Sequence, residues 1–281
     1  MLEVLLIIFM IKFIADKNRK LSKLALYYSQ DLSFGMLQKL LRKKDVKVNG
    51  KRVSEDVSLS IGDVVEIFYT PIKVDKFFEI YKDQNVLVVD KKSGVTSEAL
   101  YEDLLQTYKD LRFLHRLDRN TAGIMIFAFN QLAEDSILTG FKQRTFDKKY
   151  TAQVYGIPKQ KQAILTAYLK KDADNSFVKI FDKNVDGSVM IKTGYEVIKT
   201  LEDSSVLLVT LYTGKTHQIR AHLAHIGHFI IGDGKYGNNE INKIFKAKSQ
   251  RLISSKLTLH FLKDDYLSYL DGRSFESKQE I

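Results

Sequence analysis

The 281-residue chain contains no cysteine and only two prolines. Without thiols it has no disulfide framework, no thiolate metal site and no cysteine nucleophile. That absence fits a reducing, cytoplasmic setting. Long apolar runs are missing too. The stretch at 2–13 is apolar apart from Glu3 and Lys12, whereas a membrane-spanning helix needs about 20 such residues. It also lacks the basic start and small-residue cleavage site of a secretory signal. A start at Met10, giving MIKFIADKNRKL, is the simpler reading, and an edge strand is another. No membrane partner is expected. There is no internal repeat and no low-complexity tract.

What is present has a globular balance. Hydrophobic residues make up 44% and charged residues 28% of the chain, which is enough apolar side chain for a sizeable core and argues against disorder. The formal net charge is +10, from 44 basic and 34 acidic residues. A basic surplus favours an anionic partner. It is not evenly spread. Between Lys17 and Arg52 eleven basic residues face only Asp31 and Asp45, so nine of the ten net positive charges fall in this stretch.

The same stretch has a readable architecture. Leu21, Leu24 and Tyr28 have helical spacing. Ser33 can cap a second helix that buries Met36, Leu37, Leu40 and Leu41. In VKVNGKRV, valines alternate with lysines around Asn49-Gly50, the signature of a type I′ hairpin turn. IGDVVEIFY (61–69) reads as a turn and a strand. The helix ending LLRKKD, this hairpin and the phrase IGDVVEI resemble an S4 RNA-binding domain. The resemblance implies a basic face for structured RNA, built from Arg19, Lys20, Lys39, Arg42, Lys43, Lys44, Lys47, Lys51 and Arg52. Cations on a rigid surface meet phosphates, and shape does the selecting.

Pro71 interrupts the pattern. The expected division is an apolar segment 1–13, an S4-like domain 14–70, a linker 71–78 and a larger domain 79–281. In the larger part NVLVVDK, IMIFAFN (124–130), YTAQVYG (150–156), residues 195–199 and VLLVTLY (206–212) read as strands. Residues 100–108 and 133–143 read as helices. This is a strand-rich α+β pattern with no βαβ rhythm.

Four segments carry polar residues in a chemical pattern. HRLDRNTAG (115–123) sets a carboxylate before a buried strand, where it either acts on a ligand or caps its own turn. KKYTAQVYG opens a strand with Tyr150, a tyrosine able to stack on a base or to pack in the core. TGKTHQIRAHLAHIGH (213–228) predicts a helix from about 217 to 226, capped by Thr216 and closed by Gly227, with Arg220 projecting from its early turns. Its four histidines lack the spacing of a metal site. IIGDGKYG (230–237) is glycine-rich but does not lead into a helix through Lys-Ser/Thr, so it implies no nucleotide cofactor.

In this order the segments match HRLD-x-x-T-x-G, K-x-Y, T-G-[RK]-T-H-Q-I-R and G-D-x-x-Y-G. They resemble the RluA-like family of RNA pseudouridine synthases over about residues 79–263. The resemblance implies that Asp118 is the catalytic group, that Tyr150 lies against the target base, and that Arg220 pairs with Asp118. His115, Arg116, Lys215, His217 and Gln218 lie beside these as candidate RNA contacts. It implies no metal, nucleotide or redox cofactor. An S4 domain in front points to large structured RNA, ribosomal RNA of the large subunit before transfer RNA. The chain departs from the usual pattern at Lys91-Lys92-Ser93-Gly94, where lysine-proline-x-glycine is common, at Ala122 for serine, at Lys215 for arginine and at ISSKL (253–257). None of these touches Asp118, Tyr150 or Arg220.

Overall fold

The computed structural model describes residues 9–29, 32, 34–69, 75–172 and 177–281. The chain forms two compact units, residues 1–74 and 75–281.

The first unit runs β1 (Phe9–Ile14), β2 (Arg19–Lys20), α1 (Leu21–Tyr28), α2 (Phe34–Arg42), β3 (Val46–Val48), β4 (Lys51–Val53), β5 (Ser58–Leu59) and β6 (Val64–Tyr69). The four longer strands form one sheet in the order β1-β6-β3-β4, and β2 pairs with β5. Thus Phe9–Ile14 is an edge strand of this unit, antiparallel to β6. It is not a segment apart from the basic module. Leu21, Leu24, Leu37, Leu40 and Leu41 pack with Val46, Val65 and Ile67 into one core. Met36 lies at its margin. The proposed cap Ser33 lies outside the described residues, as do 71–74 of the expected linker. Phe77 and Phe78, also assigned to that linker, belong to the next strand.

At the hairpin tip Asn49 and Gly50 take φ of +49° and +76°, the left-handed pair that a type I′ turn requires. The Asn49 carboxamide donates to Asp63 (2.8 Å) and accepts from the Val64 amide (2.9 Å). The tip is therefore tied to the turn before β6. Arg42 ends α2, Lys43 and Lys44 form the turn after it, and Lys47, Lys51 and Arg52 lie on the hairpin. Arg52 donates to the Lys44 carbonyl (3.0 Å), and the Lys47 ammonium sits 5.2 Å from the Phe68 ring centre. Lys39 shares the last turns of α2, while Arg19 and Lys20 form β2. Of these nine cations Lys47 is half-buried and the other eight are exposed. Among the described residues none of them is ion-paired; the unit's ion pairs are Lys12–Glu66 and Lys17–Asp16.

The second unit continues with β7 (Phe77–Lys82), β8 (Val86–Lys91), α3 (Ser97–Thr107), β9 (Arg112–Phe113), β10 (Ala122–Ala128), α4 (Gln131–Gln143), β11 (Asp147–Tyr155), β12 (Gln162–Lys171), β13 (Val178–Phe181), β14 (Val189–Thr200), β15 (Ser204–Leu211), α5 (Gln218–His225), α6 (Asn239–Ile244), β16 (Leu252–Thr258) and β17 (Ser274–Glu276). Its sheet runs β13-β12-β14-β15-β11-β16-β10-β8-β7, with β9 beside β10 and β17 beside β16. Every pairing is antiparallel except β10 with β16.

The central strands are apolar on both faces because both are covered. Leu87, Val89, Met125 and Phe127 face a core with Leu100 and Leu104 of α3. Their neighbours Val86, Val88, Ile124 and Ile126 face a second core with Ala133 and Ile137 of α4 and with Leu267 and Leu270. Each such side chain contributes about 1.5–3 kcal/mol when fully buried. At the parallel crossing Gly123 sits opposite Ser254 with φ +115°, and a Cβ there would run into the Ser254 backbone. Only glycine fits, and the loop bearing Asp118 therefore enters the sheet at a fixed place.

Candidate active site

The Asp118 loop, between β9 and β10, is held from below by the segment linking β8 to α3. Ser97 donates to the Leu117 carbonyl and accepts from the Leu117 amide, both at 2.9 Å. The Gly94 amide donates to the Arg119 carbonyl (2.9 Å), and the Arg119 side chain returns a bond to the Gly94 carbonyl (3.0 Å). Beneath these lies Lys91, with no exposed surface. Its ammonium donates to the carbonyls of Lys92 (3.2 Å), Val95 (2.8 Å) and Arg119 (3.2 Å). Burial pulls its pKa down to about 8, against the attraction of Asp118. Lys91→Met should leave three carbonyls without this donor and cost about 2–3 kcal/mol, measured as a shift in urea unfolding. Between pH 8 and about 10.5 wild type should gain stability as pH rises, because the unfolded chain then binds the extra proton. Lys91→Met should lose that rise, and an unchanged pH profile would refute the assignment.

Arg220 reaches the loop from α5. One guanidinium nitrogen, Nη1, donates to Asp118 Oδ2 at 2.7 Å. The opposite edge makes a bidentate pair with Asp233, Nε to Oδ2 at 2.7 Å and Nη2 to Oδ1 at 2.9 Å. Burial draws the Arg220 pKa down, but the two carboxylates outweigh it and hold the guanidinium above its usual value. Burial likewise opposes ionisation of Asp233, yet Arg220 and the amides of Lys235 and Tyr236 keep its carboxyl below the usual range.

The start of α5 differs from the expectation. Thr216 does not cap it. His217 occupies that position in the left-handed region, φ +54°, with no side-chain cap. The Gln218 carboxamide organises the turn. It accepts from Thr213 Oγ1 (2.9 Å) and the Lys215 amide (3.1 Å), and donates to the Lys192 carbonyl (3.2 Å) and Thr193 Oγ1 (3.0 Å). Both ends of its amide are thus spent on the chain itself. The strained His217 places its Nε2 3.7 Å from Asp118 Oδ2 and its Nδ1 3.0 Å from the Tyr236 hydroxyl. Burial lowers the His217 pKa, and Arg220 and Lys235 add to this against the two carboxylates. Tyr236 accepts from the Val178 amide (2.9 Å), and its ring centre lies 5.2 Å from the Arg220 guanidinium.

These groups open on a cleft of about 550 Å³. Tyr150 lines its floor from β11; burial pushes its phenol up to about 12. His115 also lines the cleft, but its Nε2 accepts from the Ile126 amide (3.0 Å) and its ring packs 4.9 Å from Phe141. Burial lowers its pKa to about 4, so the ring is neutral. Arg116 is exposed at the mouth and pairs with Glu98 (3.1 Å). Lys215 also lines the cleft. The other three histidines of the 213–228 segment have separate partners: Thr193 for His222, Asp182 for His225 and the Tyr155 carbonyl for His228. No metal-binding cluster of acids and histidines occurs among the described residues. No helix among them is long and apolar enough to cross a membrane.

Sequence reasoning missed Asp233, Tyr236 and Lys91 as members of this site. The signal was present in G-D-x-x-Y-G, whose aspartate and tyrosine are the two residues that meet Arg220 and His217.

Comparison with known proteins gives a consistent result. A family model described as RNA pseudouridylate synthase matches residues 76–225. Ribosomal large subunit pseudouridine synthase C of Vibrio parahaemolyticus serotype O3:K6 is 30% identical over 259 residues, 82% of this chain and 79% of that protein. The protein of the same name from Buchnera aphidicola is 28% identical over 262 residues, 81% of this chain and 80% of that one. Among solved structures, Human RNA Pseudouridylate Synthase Domain Containing 1 shares the fold with a TM-score of 0.60 at 23% identity, over 75% of this chain and 92% of that one. Human RNA Pseudouridylate Synthase Domain Containing 4 gives 0.54 at 20% identity, over 64% and 83%. With a family match over more than half its length and relatives along most of it, the chain belongs to the RNA pseudouridylate synthase family, isomerases that act on RNA.

Proposed function

We propose that this chain converts specific uridines of large-subunit ribosomal RNA to pseudouridine, with Asp118 as the catalytic carboxylate and residues 14–70 at the heart of an S4-like RNA-binding module. The observation that carries the reading is the Asp118–Arg220–Asp233 array beside Tyr150 in one cleft. The names of the relatives support the choice of ribosomal RNA. The unpaired basic surface of α2 and the β3–β4 hairpin supports an RNA-binding first unit.

The reaction breaks the bond between uracil N1 and ribose C1′, turns the base and joins C1′ to C5; C5 loses a proton and N1 gains one, so the product is an isomer of the substrate. The target base leaves its stack to enter the cleft. Arg220 engages Asp118 through Oδ2 alone. Among the described residues Oδ1 has no hydrogen-bond partner, which leaves it free to face the ribose. It either attacks C1′ or removes a sugar proton to give a glycal. Tyr150, protonated at neutral pH, offers an aromatic face worth about 1–3 kcal/mol to a stacked base. It serves as a proton donor more readily than as a base.

Carbodiimide mapping of RNA from cells lacking the gene, complemented with wild type or Asp118→Ala, tests this. Discrete sites in large-subunit RNA should vanish with the gene and return with wild type only. An unchanged map would refute the activity. Sites confined to transfer RNA would refute the substrate.

A further inference from the structure

The cleft holds more positive charge than its proposed chemistry uses. Arg116, Lys142, Arg144, Lys148, Lys215 and Arg220 line it, against the single carboxylate of Asp118. Arg116 is paired with Glu98, and Arg220 with Asp118 and Asp233. Among the described residues no ion pair involves Lys142, Arg144, Lys148 or Lys215.

Three of these four form an arc along the cleft lining, drawn from the end of α4 and the start of β11. Lys142 lies in the last turn of α4 and Arg144 is its C-cap, in the left-handed region at φ +60°. The negative end of a helix attracts such cations, which accounts for these two without any ligand. It does not account for Lys148. That residue is on β11, half-buried, with its ammonium 5.7 Å from the Phe141 ring centre. The same ammonium lies 3.9 Å from where a Cβ on Gly214, the neighbour of Lys215, would stand. Burial lowers its pKa and the Arg144 charge adds to this. A cation that is partly desolvated, repelled by its neighbour and unpaired is stabilised by an anion.

We propose that Lys142, Arg144 and Lys148 grip the RNA backbone phosphates flanking the target nucleotide. The inference rests on the reading of the cleft as the uridine-accepting site. A base turned out of its stack brings its own sugar-phosphate to the mouth of the pocket. The arc belongs to the same cleft lining as Tyr150 and Asp118. Phosphate contacts position the strand without reading its sequence.

The test uses the full chain and protein-free ribosomal RNA from cells lacking the gene. Filter binding and single-turnover pseudouridine formation are measured against KCl concentration for wild type, Lys148→Gln, Arg144→Gln, Lys148→Arg and the exposed control Lys263→Gln. Lys148→Gln and Arg144→Gln should each flatten the dependence of log affinity on log salt by about 0.7–1. Both should raise KM several-fold and have a smaller effect on the rate at saturating RNA. Lys148→Arg should keep the wild-type slope, and so should Lys263→Gln. Thermal unfolding checks that each variant is folded. An unchanged slope in folded Lys148→Gln and Arg144→Gln would overturn the grip, as would an equal change in Lys263→Gln. Inhibition by inorganic phosphate beyond that of KCl at equal ionic strength, lost in Lys148→Gln, would assign the arc to free phosphate and overturn the backbone reading. If wild type forms no pseudouridine, the proposed activity fails, while the binding slopes still decide the grip.

Discussion

Asp118→Asn should bind RNA within a few-fold of wild type and form pseudouridine at least about 10⁴-fold more slowly, a loss of about 5.5 kcal/mol from the barrier. The asparagine has the same shape. One oxygen can still accept from Arg220 Nη1, and Arg220 keeps both bonds to Asp233. Unfolding free energy should therefore stay within about 1 kcal/mol of wild type. What the substitution removes is the negative charge of a side chain that lines the cleft. An amide neither attacks C1′ nor takes a proton from the sugar, so both routes stop. Rapid-quench single-turnover assays with saturating enzyme read the effect directly. A residual rate within tenfold of wild type would show that another group does the chemistry.

The second large effect concerns a residue that touches no substrate. Asp233→Ala should destabilise the chain by about 3 kcal/mol, because it leaves a buried guanidinium with half its partners. Its side chain has no exposed surface. Activity should fall as well, since Arg220 would then be free to turn with Asp118. Asp233→Asn separates the two roles. It can still accept from the Lys235 and Tyr236 amides, as Oδ1 does at 2.8 and 3.1 Å, but it brings no charge. The pH dependence has a definite sign. A carboxyl whose folded pKa lies below its ordinary value of 3.8 stabilises above that value and loses its contribution as pH falls through the folded pKa. The stability difference between wild type and Asp233→Asn should therefore be full and constant above about pH 3.8 and shrink as pH falls below it towards the lowered folded pKa. Parallel curves in urea unfolding across that range would rule out a charge role for Asp233.

Much of this site was legible because its chemistry is written in contiguous words. HRLD, K-x-Y and T-H-Q-I-R name Asp118, Tyr150 and Arg220 within short segments, and Asp118 and Arg220 do meet. Asp233 was harder to read. Its neighbours suggest a glycine turn, and its partner lies 13 residues away across the end of a helix. Lys91 stood in the sequence only within a segment that departs from the usual family pattern. Only the closing of the β8–α3 segment over the Asp118 loop reveals that its ammonium is buried among carbonyls. The cap of α5 went wrong for a similar reason. Thr216 has the right chemistry for an N-cap, but the Gln218 amide reaches back to Lys215 and Thr213 and sets the turn instead.

The fold shows the same division. The central strands β8 and β10 were plain because continuous apolar runs are covered on both faces. Strand β12, QAILTAYLKK, was overlooked; it is exposed along one face and its partly polar alternation gives a weak signal. Strand β14 was read only at 195–199, where Tyr195 and Val197 join the core, although it begins at Val189 among exposed residues.

The separation of the paired residues along the chain also sets a schedule for synthesis. Asp118 and Arg220 are 102 residues apart. At about 5–20 residues per second, roughly 5–20 seconds pass between their appearance at the ribosome. Asp233 comes later still. The strand beneath the Asp118 loop waits longest, since buried Asp90 takes its bonds from Ser277, Lys278 and Gln279, 187 to 189 residues downstream. A nascent chain can thus display its basic first unit well before it has any chemistry to direct.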